Sequence, residues 1–392
     1  MRKIERSYSV ESPQFLRSMG AVPGPGYVGG NQVRTLLNGD EIFPAMLAAI
    51  RSAERSINFE TYIYWSGEIG GEFTEALSAR ARAGVRVHVL IDWAGSQNME
   101  QAYIDEMRDS GVDVRYYHPL RWYHLARMNN RTHRKLLIVD GEVGFTGGVG
   151  ISDFWLGRAQ DPDHWRDTHF EVRGPVVGQM QAAFLDTWSD LTGKVWHGDD
   201  YFPALEPCGD VLAQLINSPA NEGFEAAYVM YLMALAAATR SIHLAMAYFI
   251  PDEESERLLL DALARGVRVR IIVPGRHMDV PVVRAASRAR WGPLLAGGGE
   301  IHEYQPTMFH NKILVVDGLW TSVGSTNFDD RSFKLNDEAN LTVYDREFAE
   351  RQIADFERDL EHTVRITHEA WLRRPLSERV RERLASLVRS QL

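Results

Sequence analysis

Two stretches of the chain carry residues whose types and spacing could do chemistry. Asn130–Gly150 reads NRTHRKLLIVDGEVGFTGGVG, and Met308–Asn327 reads MFHNKILVVDGLWTSVGSTN. In the first, His133, Lys135 and Asp140 stand in the order H-x-K-x4-D. In the second, His310, Lys312 and Asp317 repeat that spacing, and a glycine, Gly147 or Gly324, follows each at the same distance. One such triplet could be a solvated strand end; two, each leading into an apolar run and an Asp-Gly pair, argue for a duplicated site. Residues two apart on a strand share a face, so each histidine stands beside a lysine. Lysines are point donors for phosphate oxygens. A neutral histidine can attack phosphorus while a second protonates the leaving oxygen. Four such side chains in one pocket suit phosphodiester chemistry that calls for no metal and no cofactor, because the cations stabilise the charged transition state.

The residues after each triplet extend the pattern. Ser325 and Asn327 are candidate phosphate donors. Glu338, 28 residues beyond His310, is placed to hold the far nitrogen of that imidazole and set its tautomer, and Asp167 takes the matching place in the first copy. Asp140 and Asp317 precede Gly141 and Gly318 and read as supporting turn residues rather than catalysts. Glu60, alone on a strand, reads as half of a buried polar pair. Arg284, Arg288 and Trp291 share one helical face, which is either solvated or an anionic headgroup site. Leu120–Met128, LRWYHLARM, is either a packed loop or a lip that meets a membrane interface.

The elements that must position these groups are themselves doubled. Asn38 to His133 spans 95 residues and Asn217 to His310 spans 93. Each copy reads strand, helix, strand, helix, strand, which predicts an α/β fold: two tandem repeats, each a mostly parallel sheet flanked by helices, packed about a pseudo-twofold axis that brings the triplets together. The expected division is an N-terminal segment at 1–29, repeats at 30–200 and 205–364, a linker around HGDDYFPALEPCGD, and a tail at 365–392. The balance of 43 basic against 53 acidic residues gives a net charge of −10, which argues against a nucleic-acid partner bound by bulk charge. A single cysteine, Cys208, excludes an intramolecular disulfide and a cysteine-rich metal site. The N-terminus has no apolar core of a signal peptide. Ala226–Thr239 is too short to span a bilayer and reads as a buried helix.

The duplicated H-x-K-x4-D motif with its trailing GSTN resembles the phospholipase D superfamily through nearly the whole chain. LLNGDEIFPAMLAAI, WRDTH, YFIPDE and GSTNFDDRSFKLNDEANL make it most similar to bacterial cardiolipin synthases of the branch without transmembrane helices. That resemblance implies a phosphatidyl transferase acting on phosphatidylglycerol or a related phospholipid, with a covalent phosphohistidine on His133 and acid–base work by His310. It implies a peripheral enzyme at the cytoplasmic face of the cell membrane, in contact with an anionic surface. A phospholipase D hydrolase giving phosphatidic acid, a nuclease of the same superfamily and a silent lipid-binding scaffold remain alternatives. Gly148 and Gly150 stand where the second copy has Ser325 and Asn327, which implies fewer phosphate contacts from the first copy.

The tail belongs to neither repeat. Leu376, Val380, Leu384, Leu387 and Val388 share one helical face, with Arg379, Arg381, Arg383 and Arg389 around it. This predicts a helix that either packs on the body of the protein or lies on anionic lipid.

Overall fold

The computed structural model describes residues 3–119, 129–220 and 225–387. In the first half the strands are β1 (Val28–Leu37), β2 (Ser56–Thr61), β3 (Arg86–Asp92), β4 (Asp113–Tyr117), β5 (Arg131–Thr132), β6 (Leu136–Val139), β7 (Val143–Gly147) and β8 (Thr168–Arg173). In the second half they are β9 (Val211–Ser218), β10 (Ser241–Met246), β11 (Arg268–Pro274), β12 (Glu300–Tyr304), β13 (Lys312–Val316), β14 (Trp320–Gly324), β15 (Asn336–Tyr344) and β16 (Thr363–Ile366).

Side by side these strands run β16-β12-β11-β10-β13-β14-β15-β9-β1-β8-β7-β6-β2-β3-β4, with β5 paired separately to β15. Outward from the β9–β1 junction the two halves show the same order, as a duplication with a pseudo-twofold relation requires. The two expected sheets therefore join edge to edge into one. The expectation that each is mostly parallel is corrected. Only β2-β3-β4 and β10-β11-β12 are parallel, and the other pairings on this path are antiparallel.

Turn chemistry is the reason. Asp140 and Gly141 have φ of 55° and 70°, and Asp317 and Gly318 have 55° and 61°. Two successive positive-φ residues make a tight hairpin that returns the chain at once, so the strand after each motif must run antiparallel. The Asp side chains hold these turns in place. Asp140 accepts backbone N–H bonds from Glu54, Arg55 and Ser56, at 2.7–2.9 Å, and Asp317 accepts the same set from Thr239, Arg240 and Ser241. Each turn is thereby tied to the start of the neighbouring strand, at the end of the sheet away from the histidines.

Alternation on the motif strands divides the core. Leu136 and Ile138 enter a cluster shared by both halves, as do Ile313 and Val315. Leu137 and Val139 face the helices Asn38–Ser52 and Glu68–Arg82, while Leu314 and Val316 face the wholly buried helix Ala226–Ala237. The shared cluster also takes Phe184 and Trp188 from helix Val177–Thr192 and Phe348 and Phe356 from helix Arg346–Leu360. It welds the repeats into one body, so the loops at one end of both motif strands are held in fixed relation. The expected linker lies against the first half: Tyr201 stacks on Trp196 at 4.8 Å, and the Asp200 carbonyl accepts from Ser56 Oγ. Among the described residues no helix is long and apolar enough to cross a membrane.

Candidate active site

His133 and His310 sit in irregular backbone just ahead of β6 and β13, and each is anchored by the other repeat. The backbone N–H of His133 donates to the Asp337 carbonyl at 2.9 Å, continuing the parallel pairing of β5 with β15. In the mirror-image arrangement, the N–H of His310 donates to the Arg166 carbonyl at 2.8 Å, beside a parallel bridge between Arg166 and Phe309. The chain that carries each histidine is thus laid along the chain that carries the opposite carboxylate.

The dyads are crossed as a result. Nδ1 of His133 lies 2.9 Å from Glu338 Oε1, and Nδ1 of His310 lies 2.8 Å from Asp167 Oδ2. Glu338 was expected to hold the imidazole of its own repeat, His310; it holds His133 instead. Sequence distance could not show this, because the pseudo-twofold axis decides which carboxylate meets which ring. With Nδ1–H given to a carboxylate, Nε2 of each ring carries the lone pair that can meet phosphorus or a proton, and at His310 Lys312 Nζ lies 3.2 Å from it.

The two lysines complete the site. Lys135 Nζ donates to the His133 carbonyl at 2.6 Å, and Lys312 Nζ donates to the His310 carbonyl at 2.7 Å. All four side chains and both carboxylates are buried. Burial pulls the His133 imidazole down to about 4 although Glu338 opposes it, and His310 is lowered in the same way, with Lys312 adding to the effect. Both rings are therefore neutral at pH 7. Burial also brings Lys135 down to about 7 and Lys312 to about 8. Burial alone would raise Asp167 and Glu338, but the facing histidines and lysines outweigh it and hold both below the usual range, as anions. Lys312 acts on His133 and Asp167 acts on Lys135, so the two halves form one electrostatic unit. A phosphodiester anion entering between the lysines would restore the charge that burial suppresses.

The supporting shells of the two dyads differ. Ser325 Oγ donates to Glu338 Oε2, and Asn336 reaches Oε1 at 3.5 Å. The Ser325 hydroxyl is thus engaged with the carboxylate, whereas the buried Oδ1 of Asn327 meets no donor among the described residues. At the matching place in the first repeat, a Cβ on Gly148 would sit 2.3 Å from Asp167 Oδ1, so a serine does not fit. Trp155 supplies the donor instead, its Nε1–H reaching Asp167 Oδ2 at 3.0 Å while its ring meets His310 edge-on at 5.3 Å. Trp165 lies 5.5 Å from the same imidazole, and Tyr62 packs edge-on against His133 at 5.3 Å. Sequence reasoning passed over these three aromatics. The signal for Trp155 was the glycine at 148, which leaves the first repeat without the hydroxyl donor that Ser325 supplies in the second.

Other candidates lie elsewhere. Asp140 and Asp317 serve the turns described above. Glu60 is buried with Thr132 Oγ1 as its donor and Arg134 nearby, and burial raises it to about 7. Arg284 and Arg288 both engage Glu303, at 2.6 and 2.9 Å, and Trp291 is buried with its indole on Ser287. That face is filled by acidic partners and core packing. Leu120–Met128 lies outside the described residues. Among the described residues no cluster of histidine, cysteine or acidic groups forms a metal site.

Comparison with known proteins shows the family. The family model described as "Cardiolipin synthase, PLD-like domain" matches residues 46–161 and 231–360, one segment around each motif. A cardiolipin synthase of Geobacillus kaustophilus is 37% identical over 361 residues, covering 91% of this chain and 72% of that protein. Cardiolipin synthase 2 of Bacillus cereus is 36% identical over 354 residues, covering 90% and 69%. In fold the chain is similar to the crystal structure of phosphatidylserine synthase from Haemophilus influenzae, with a TM-score of 0.71 at 15% identity over 97% of this chain and 99% of that one. With a family model over both motif regions and relatives matched through nine-tenths of its length, this chain belongs to the cardiolipin synthases of the phospholipase D-like family.

Proposed function

We propose that the protein moves a phosphatidyl group between phosphatidylglycerol molecules in two displacements at one site. His310 Nε2 takes up a proton as the phosphodiester anion enters, His133 Nε2 attacks the phosphorus of the first lipid, and glycerol leaves with that proton from His310. A hydroxyl of a second phosphatidylglycerol then gives its proton to His310 and attacks the phosphohistidine, which yields cardiolipin and frees His133. Lys135 and Lys312 hold the phosphate oxygens, Asn327 offers a polar contact beside them, and Glu338 and Asp167 stabilise the positive charge each ring takes up in turn. Water in place of the second lipid gives phosphatidic acid, so the acceptor decides between transfer and hydrolysis. The reading puts the enzyme peripherally at the cytoplasmic face of the membrane, where donor and acceptor lie in one surface.

The observation that carries this reading is the pair of crossed dyads, His133–Glu338 and His310–Asp167, closed around two buried lysines. It supplies two imidazoles whose Nε2 atoms stand away from the carboxylates, His310 Nε2 with Lys312 Nζ at 3.2 Å, one for covalent attack and one for proton transfer. The test is turnover of phosphatidylglycerol vesicles by the purified protein, read as cardiolipin plus glycerol. His133→Ala and His310→Ala should each abolish it. A rapid quench should trap acid-labile, lipid-labelled protein in the His310 variant and none in the His133 variant. Label surviving only in the His133 variant would reverse the two roles, and phosphatidic acid as the sole product would make the enzyme a hydrolase.

A further inference from the structure

Helix Leu376–Ser386 resolves the two readings of the tail in an unexpected way: it packs on the protein, but by its polar face. Glu382 is buried between Arg374, at 2.6 Å, and Arg288, at 3.4 Å, and Glu378 reaches Arg288 at 3.5 Å. Ala385 on the same face enters a small apolar cluster with Met278, Val283 and Met308. The opposite face is apolar and open: Leu376 is 72% exposed, Val380 51%, Leu384 62% and Leu387 77%. Burying Glu382 and exposing leucines inverts the usual arrangement of a surface helix, and a contiguous exposed apolar stripe marks a contact surface.

We propose that this stripe is a docking surface for anionic lipid. Charge supports a lipid occupant. The acids of the helix are spent inward, while Arg379, Arg381 and Arg383 are exposed, flank the stripe on both sides and make no ion pair among the described residues. Two copies meeting stripe to stripe would bring these arginines together, whereas phosphatidylglycerol headgroups complement them. Position supports it too. The cluster under Ala385 continues through Met308 to Tyr248 and Trp165, and Trp165 lies against His310. The helix that carries the stripe is therefore anchored, by its packed face, on the cluster that reaches the His310 side of the site. The inference rests on the phosphatidyl-transfer reading for its biological sense, but its test reads binding alone.

The full chain carrying Val380→Glu and Leu384→Glu is compared with wild type. Both positions are exposed, so the fold should be kept, and a thermal melt checks this. Co-sedimentation with phosphatidylglycerol vesicles should weaken at least tenfold. Arg379→Gln, Arg381→Gln and Arg383→Gln together should weaken it on the order of fivefold per arginine at low salt and much less at high salt. Turnover of a short-chain phosphatidylglycerol below its critical micelle concentration should stay at the wild-type rate in both variants. Unchanged vesicle binding overturns the proposal, as does a wild-type dimer that the glutamates dissociate, which would give the stripe to a second copy. A wild-type protein that binds vesicles through the stripe but turns over no soluble lipid would instead refute the catalytic reading and leave the docking surface standing. A label on Cys208→Ser/Leu384→Cys should shift to the blue on phosphatidylglycerol vesicles, and a label that stays in water overturns the proposal even where the glutamate variants misfold.

Discussion

Replacing Trp155 with phenylalanine isolates one hydrogen bond in the His310 dyad. The indole N–H donates at 3.0 Å to Asp167 Oδ2, the oxygen that also accepts from His310 at 2.8 Å. Donor and carboxylate are both fully buried, so water cannot replace what is lost. A hydrogen bond to a charged group contributes roughly 1.5–3 kcal/mol. If that stabilisation is felt in the transition state, kcat falls roughly ten- to a hundredfold, since about 1.4 kcal/mol is a factor of ten. The phenyl ring keeps much of the packing on His310, so the loss of stability should be below the roughly 3–5 kcal/mol of truncation to alanine. The pH profile carries the sign. With one donor fewer, the Asp167 anion is less satisfied and pulls harder on the His310 proton. The imidazolium becomes easier to form, and the limb of the rate profile governed by His310 moves to higher pH. Stopped assays on short-chain phosphatidylglycerol across pH 5–9 would read both effects. A folded variant with unchanged kcat and an unmoved limb, beside an Asp167→Asn variant that collapses, would refute the idea that Trp155 acts through Asp167.

Ser325→Ala removes the corresponding donor from Glu338 and should lower kcat with little effect on KM; a rise in KM alone would return Ser325 to a phosphate-binding role. Lys135→Met should abolish turnover yet stabilise the empty protein by a few kcal/mol at pH 7, because burial lowers this lysine from 10.5 to about 7. The unfolded chain protonates it below its own higher value and the folded protein does not until about 7, so the penalty is full at or below pH 7 and fades as pH rises toward 10.5. Urea midpoints at pH 7 and 10 check this, and a variant less stable at pH 7 contradicts it. Asp317→Ala removes three backbone acceptor bonds and should cost about 3 kcal/mol in urea unfolding, while the activity of the folded fraction persists. Turnover should continue in excess EDTA on a soluble substrate; loss that zinc or magnesium restores would overturn the proposed chemistry.

What could be read from residues alone was local. Two H-x-K-x4-D triplets at matching intervals announced a duplicated site, because the side chains at i and i+2 and the turn at Asp-Gly depend only on near neighbours. The same turns implied antiparallel hairpins, and the expectation of a mostly parallel sheet followed from giving the strand–helix alternation more weight than Asp140-Gly141 and Asp317-Gly318. The apolar face of the tail was equally legible as a period of 3.6, but not the direction in which it points. The tertiary structure decided every question of partnership. Glu338 serves His133 and Asp167 serves His310 because β5 is laid along β15 and Phe309 beside Arg166, contacts between segments some 140 to 200 residues apart. Trp155 stands in for a serine because the Asp167 carboxylate lies where a Cβ on Gly148 would be, a placement that only the folded packing defines. The tail turns its leucines outward because the buried carboxylate of Glu382 must face its partners Arg374 and Arg288, on the body side of the helix. Periodicity says which residues share a face; the charges and shapes that face meets are set by distant parts of the chain, which is why sequence order alone carries no trace of them.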